Sequence, residues 1–513
     1  MKSFKLISII AVLAVSAFGN GLIAPFVRDE VLVKIDSNDN NAVFRRLELA
    51  GGDAVESLGK TGWLRVRILN GRDVEETMAE YRKLNGVISV QPNFYYRLLT
   101  TPNDPQWGTT GTYGLTRISA PAAWDLTTGS SSVVVANIDT GMRLTHEDLA
   151  ANLWSNSGEI ANNGIDDDNN GYIDDIHGWD FRFNDNDPSD ENGHGTHVGG
   201  TIGAVGNNML GVTGVNWTVR LMAIKIYGQA TNDTTSAMLI NAYNYVRLMK
   251  ERGVNIRVTN NSYGGCAEAC GYDQATKDSI DALGNAGVLN VFAAGNQGLN
   301  TDTMPFYPGS YNSPSILNVA ASNSVDSRAG FSNYGVVSVD LGAPGTSILS
   351  TTNGSNSSYG GSSGTSMASP HVAGAAALLA AYQPNLSAAS LKATLMNQVD
   401  PLSQWSGFVR TGGRLNIFNA LQNQTVCNFT PSLTSISMPT KGGYFSVQVN
   451  AASNCDFAVK SNVNWSIPEG STSRSGQSTI NFRVTTNNRI SRLGTVNIGG
   501  HEITISQVRG KFF

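Results

Sequence analysis

Five short apolar runs, at residues 133–138, 221–226, 256–260, 288–293 and 316–320, limit the fold more than any other feature of the chain. A strand that is apolar at nearly every position must be covered on both faces, which is the mark of a parallel sheet lying between helical layers. Helical patterns lie between the runs, at 235–252 closed by Gly253 and at 273–286 closed by Gly287. The expected fold class is therefore α/β, a doubly wound, mostly parallel sheet whose site lies beyond the carboxyl ends of its strands.

At 513 residues the chain exceeds one domain. Residues 1–24 read as a secretory signal: Lys2 and Lys5 precede an apolar run at 6–15, followed by Ser16, Ala17 and Gly19. That run is too short for a permanent span, so no membrane anchor is expected. A charged fraction of only 15% with 55 glycines suits an extracellular protein. Residues 25–101 pattern as a small α+β unit, with strands at 31–35, 63–68 and 87–90, then an extended aromatic tail at 91–96. Its helix opens on the Asp73/Glu76 capping box. Its place between a leader and an enzyme-like body marks it as a pro-region. The body covers 102–423. From 424 to 513 short alternating stretches without a helix signal read as an all-β sandwich. Cys266, Cys270, Cys427 and Cys455 permit two disulfides in an exported protein. Spacing favours Cys266 with Cys270 and Cys427 with Cys455, and four free thiols stay open.

The net charge of −5 gives no reason to expect a nucleic-acid partner. Between Asp139 and Glu191, however, fourteen acidic residues face two arginines, which means a solvated face or cation sites. Asp139 closes the first apolar run, so its carboxylate stands at the carboxyl edge of the sheet. His194 enters a helix-like segment. Ser366 follows a Gly/Ser loop and opens a buried small-residue helix, where unpaired N–H groups favour a developing oxyanion. Nucleophilic catalysis needs such a base for the hydroxyl and a buried acid for the base. The order Asp, His, Ser is one of the known triad orders.

The local contexts are more telling than the trio. Asn137-Ile138-Asp139-Thr140-Gly141, His194-Gly195-Thr196-His197-Val198-Gly199-Gly200-Thr201, Ala293-Ala294-Gly295-Asn296 and Gly364-Thr365-Ser366-Met367-Ala368-Ser369-Pro370-His371 stand in one order. Together they resemble the subtilisin-like serine proteases over about residues 102–422. The resemblance implies a secreted endopeptidase acting on proteins or peptides, with Ser366 as nucleophile, His194 as base and then acid, and Asp139 as orienting carboxylate. It gives Asn296 and the Ser366 N–H to the oxyanion, and Ser262, Tyr263 and Gly264 to the substrate wall. His197 and His371 are expected to be structural. Phe306, before Tyr307-Pro308, departs from the family near the pocket base. The pro-region then becomes an autoprocessed propeptide that chaperones folding and inhibits through its tail. The C-terminal region resembles a BACON-type, Ig-like module on Cys455, Trp465, residues 487–492, Gly499-Gly500 and Ile505-Ser506-Gln507, and glycan binding there is an analogy. A monomer is expected. The rival readings are a non-catalytic adhesion or glycan-binding protein, which would need a broken triad, and an esterase that keeps it.

Cation sites complete the sequence picture. Asp166, Asp168, Asn170 and Asp174, with Gly171 at the turn and the Tyr172 carbonyl, give alternating hard-oxygen ligands suited to structural Ca²⁺. His177 stands where an EF-hand needs its Glu, so the loop is an isolated one. Asp180, Asp185 and Asp187 form a second cluster resembling a calcium site of the thermitase-like branch. Asp104, Asp148 and Asn207 map onto that family's strong site, in a loop one residue longer than the pattern. Asp104 as a ligand would put the mature start between 99 and 102.

Overall fold

The computed structural model describes residues 26–36, 40–95, 100–230, 234–264 and 271–508. The expected leader and the Cys266–Cys270 clip lie outside them. The chain forms two units, Met1–Leu98 and Leu99–Phe513.

In the first unit, strands Gly52–Ser57, Trp63–Ile68, Phe26–Ile35 and Val87–Phe94 make one antiparallel sheet in that order. Helix Val74–Tyr81 is capped by Asp73, whose carboxylate accepts the Glu76 N–H at 2.7 Å. Two elements have no counterpart in the sequence pattern: helix Asn40–Leu49 and strand Gly52–Ser57. That helix buries Val43 and Leu47, one turn apart, too thin a stripe to read without the fold. The strand expected at 87–90 runs on through Phe94 and takes in most of the supposed tail.

The second unit is built on a nine-stranded sheet. Its central strands Leu341–Pro344, Ile316–Ser322, Leu289–Ala293, Ile256–Asn261, Gly129–Asp139 and Thr218–Lys225 all pair in parallel. The strand ending in Asp139 shows why its run is unbroken. Val133 and Val135 pack into the core that holds helix Thr365–Tyr382. Val134, Ala136 and Ile138 pack on the opposite face with Tyr243, Tyr245 and Ile280. By the same alternation Asn137 and Asp139 face the side of the two helices that carry His194 and Ser366. Helix Thr365–Tyr382 is buried all round, in keeping with its Ala- and Gly-rich sequence.

Beyond helix Ile417–Gln422 the regular elements among the described residues are all strands, in a four-stranded and a five-stranded sheet. Their facing residues, among them Phe445, Val447, Phe457, Ile480, Phe482 and Ile503, form a separate core. Trp465 belongs to that core and is lidded by the Arg492 guanidinium, 4.3 Å from its ring. Strand Ser435–Met438 pairs in parallel with His501–Gln507. Cys427 and Cys455 are disulfide-bonded.

Candidate active site

Asp139 is 1% exposed at the end of its strand. Its Oδ1 accepts the Thr140 N–H at 2.8 Å and His194 Nδ1–H at 2.7 Å. The second bond fixes the imidazole tautomer and leaves Nε2 as the acceptor. His194 opens helix His194–Gly203, and the helix can come this close because its next residue is glycine. A Cβ on Gly195 would lie 2.2 Å from the Gly141 carbonyl and 3.1 Å from the Asp139 Cβ. Burial alone would lower the His194 pKa, but the charge and hydrogen bond of Asp139, with Asp190 behind it, leave it raised. His197 and His371 behave differently. Burial brings both down to about 4, and they bond main-chain carbonyls of Ile348 and Met367. Both are neutral packing residues at neutral pH.

Ser366 is the second residue of its helix, and Gly364 is the N-cap. The Ser366 hydroxyl donates to the Ser262 carbonyl at 3.0 Å. Pro370 has no N–H to give the carbonyl four residues back. That carbonyl belongs to Ser366, and it accepts the Ser262 hydroxyl at 3.0 Å instead. Ser369 is buried and shares a hydrogen bond with Ser262. Asn296 follows strand Leu289–Ala293. Its Oδ1 is occupied by the Thr365 N–H at 2.8 Å and hydroxyl at 3.0 Å, which turns Nδ2 outward as a donor. A methyl on Gly364 would sit 3.5 Å from Asn296 Nδ2 and 3.6 Å from the Ser366 N, so both donors border one small space.

Ser262 lies just past strand Ile256–Asn261, and Gly264 has φ +152°. A Cβ at Gly264 would meet the Phe306 ring at 2.7 Å, and one at Gly295 would meet it at 2.9 Å. Phe306 therefore stands between these two backbone walls. Tyr263 turns its hydroxyl inward, onto Tyr243 and Asn261.

The acidic residues are distributed less simply than their spacing implied. Asp166 accepts the Asn170 and Gly171 N–H groups, and Asp174 those of Asn163 and Gly164. Asn170 turns its amide to Asp175 and its oxygen to the Tyr172 N–H. The carboxylates brought together, within 4.8 Å of one another, are those of Glu159, Asp168 and Asp175. Burial pushes Asp175 up to about 6, with hydrogen bonds from Tyr245, Asn156 and Asn170 opposing. A cluster of hard oxygens with the buried Asp175 at its centre and two partly buried carboxylates beside it fits a divalent cation. Asp104 and Asp148 are also buried together and joined through the next loop. Asp104 accepts the Asn207 and Asn208 N–H groups, and Asp148 accepts the Asn208 side chain at 2.8 Å. Asn208, not Asn207, thus turns its side chain to Asp148, in the loop that is one residue longer than the pattern. Beside Asp180 stands the buried Lys225 ammonium, 2.9 Å away, while Asp185 and Asp187 cap local turns.

Asp190 escaped the sequence reading. Its carboxylate accepts the Thr140 hydroxyl, the Asn192 and Gly193 N–H groups, and both donors of Thr196. It thereby ties the segment after Asp139 to the turn before His194. Its position four residues ahead of His194 was the available signal.

A buried acid bonded to a partly exposed imidazole, on a doubly wound sheet that also carries a helix-borne serine beside an asparagine amide, is an arrangement suited to a serine hydrolase. Residues 130–426 match the model of the subtilase family, and the chain belongs to that family. Residues 17–93 match the Fervidolysin N-terminal prodomain. Thermitase of Thermoactinomyces vulgaris is 35% identical over 63% of this chain and 99% of its own length. A thermophilic serine proteinase of Bacillus sp. strain AK1 is 32% identical over 77% of this chain and 88% of that protein. Among solved structures, a protease of Pseudoalteromonas arctica is 29% identical, with a TM-score of 0.50 over 63% of this chain and 99% of that one. The chain is thus a subtilase, a serine endopeptidase carrying a prodomain. Among the described residues no helix is long and apolar enough to cross a membrane.

Proposed function

We propose that the chain is an exported, calcium-braced endopeptidase made as an autoprocessed zymogen, with a prodomain over 25–101, a catalytic domain over 102–423 and a sandwich over 424–513. The 2.7 Å bond between Asp139 and His194 is the observation that carries the reading. Ser366 turns from the Ser262 carbonyl to His194 Nε2, gives it the hydroxyl proton and attacks the substrate carbonyl. Asp139 stabilises the imidazolium that results. Asn296 Nδ2 and the Ser366 N–H receive the oxyanion. Collapse breaks the C–N bond, the amine leaves with the proton from Nε2, and an acyl-enzyme remains. Water then repeats the sequence: its proton goes to His194, its oxygen bonds the acyl carbon, and Ser366 recovers its hydrogen.

Calcium, when bound, would neutralise the clustered carboxylates of Glu159, Asp168 and Asp175, and the buried ones of Asp104 and Asp148 with Asn208. Both groups stand on loops, so the gain is rigidity and not chemistry. Phe306 shortens the primary pocket and favours small side chains at the cleaved bond. The test is the purified full chain on casein and on a short acyl ester, beside Ser366→Ala. The expected result is casein cleavage by the native chain and an uncut prodomain in the variant. Ester turnover without casein cleavage, or a normally sized mature product from Ser366→Ala, would overturn the reading.

A further inference from the structure

The C-terminal sandwich meets the catalytic domain through charge that neither side can leave unpaired. Asp456 opens strand Asp456–Ser461 and is 6% exposed. Its Oδ2 accepts Lys392 Nζ at 2.7 Å, from helix Ala388–Asn397 of the catalytic domain. Arg410 forks onto both of its oxygens, at 3.1 and 3.2 Å. Behind Arg410, at 3.6 Å, lies Asp340, whose other oxygen accepts the Asn318 N–H. Two cations and two anions thus alternate along the seam and sum to zero. Burial alone would raise the Asp456 carboxyl, yet Lys392 and Arg410 hold it down to about 2.

Independent contacts converge on the same seam. Cys455, next to Asp456, is bonded to Cys427, whose N–H donates to Ser390 on the Lys392 helix. Asn397 of that helix exchanges hydrogen bonds with Ser453 and Asn454. Arg410 also donates to Ser475, and Asn312 to Ser471, around a cavity of about 550 Å³. On the catalytic side, Asp340 immediately precedes strand Leu341–Pro344, and the next residue, Gly345, accepts the Gly364 N–H at 2.8 Å. One strand therefore separates the seam from Gly364, the N-cap of the helix that carries Ser366.

We propose that the sandwich acts as a built-in clamp on the catalytic domain: Asp456 is the plug of a cationic socket made by Lys392 and Arg410, and the Cys427–Cys455 bond keeps it seated. Removing the plug leaves the buried Lys392 and the partly buried Arg410 facing one acid, and breaking a buried ion pair from one side is costly. The inference concerns docking and holds whether or not the protease reading does.

It is tested on the full chain, inactivated with a fluorophosphonate so that it does not digest itself. Asp456→Ala is expected to lower the melting temperature of the catalytic domain by roughly 5–10 °C. It is also expected to speed release of the sandwich by an added protease, through cuts at residues 423–426 ahead of the disulfide-bonded Cys427, about tenfold. Glu502→Ala, an exposed acid on the same sandwich, serves as control and is expected to change neither. If Asp456→Ala does not accumulate as folded protein, Lys392→Met, which keeps the Arg410 fork, is read in the same two assays for smaller changes of the same sign. A catalytic domain that melts at the native temperature in these variants, or a sandwich released at the native rate, overturns the clamp.

Discussion

The two halves of the proposed active site are held by different physics. Asp139 and His194 are joined by charge: the acid is 1% exposed and its partner's pKa is raised by it. Ser366 and Asn296 are held by neutral hydrogen bonds to Ser262 and Thr365, at the more open end of a helix. A charge gains from a dry, fixed place, because its attraction is strongest there. A nucleophile must still reach a carbonyl that arrives from outside, so it is placed by its helix and left free to rotate. Catalysis asks for one rigid half and one that can turn.

Each half can be broken separately. Asp139→Asn is expected to cost on the order of 10⁴ in kcat with little change in KM, because the imidazole loses both its tautomer and its counter-charge. Asn296→Ala is expected to cost about 10²–10³ in kcat and again spare KM, since its amide acts only on the oxyanion. Paired kinetics on one peptide substrate separate these outcomes from plain unfolding. A smaller effect is expected at the pocket. Phe306→Gly should raise kcat/KM for large aromatic side chains over alanine by about tenfold or more, read from a peptide library. Chelation should lower the melting temperature by several degrees while the initial rate stays within about twofold, because the acidic clusters brace loops. Equal melting curves would remove calcium from the account.

The smallest effect is also the most direct reading of the rigid half. Activity needs neutral His194, so a raised pKa puts the acid limb of kcat/KM above the ordinary value of about 6.5. Stability runs the other way. The ion pair with Asp139 contributes fully below that ordinary value and is lost as pH rises through the raised one. His197 and His371, brought to about 4, stay silent over this range. A limb below 6.5 would contradict the geometry.

The residues proposed for catalysis could be singled out because each sits in a block whose neighbours have their own task. Gly195 admits the helix, Thr365 occupies the Asn296 oxygen, and Pro370 frees the Ser366 carbonyl. The central strands were legible for a similar reason, since a run covered on both faces leaves few alternatives. The cation loops were less so. Alternate spacing brings Asp166 and Asp174 near the right place, but backbone N–H groups claim both carboxylates, and the clustered acids include Glu159 and Asp175. Spacing describes ligands of one tight loop, whereas this cluster draws on Glu159, seven positions before the motif begins. Asp190 was missed because its partners lie in two separate segments. Helix Asn40–Leu49, with only two buried apolar side chains, carried too faint a pattern.

The parallel pairing of Ser435–Met438 with His501–Gln507 bears on how the protein is made. A strand that emerges early from the ribosome waits for a neighbour near the far end of its own domain. Until residues through Gln507 have been synthesised, that sheet keeps an open edge beside a finished catalytic domain. Closure of that sheet therefore depends on residues about seventy positions apart, and a chain cut short of His501 would leave Ser435–Met438 without its partner strand.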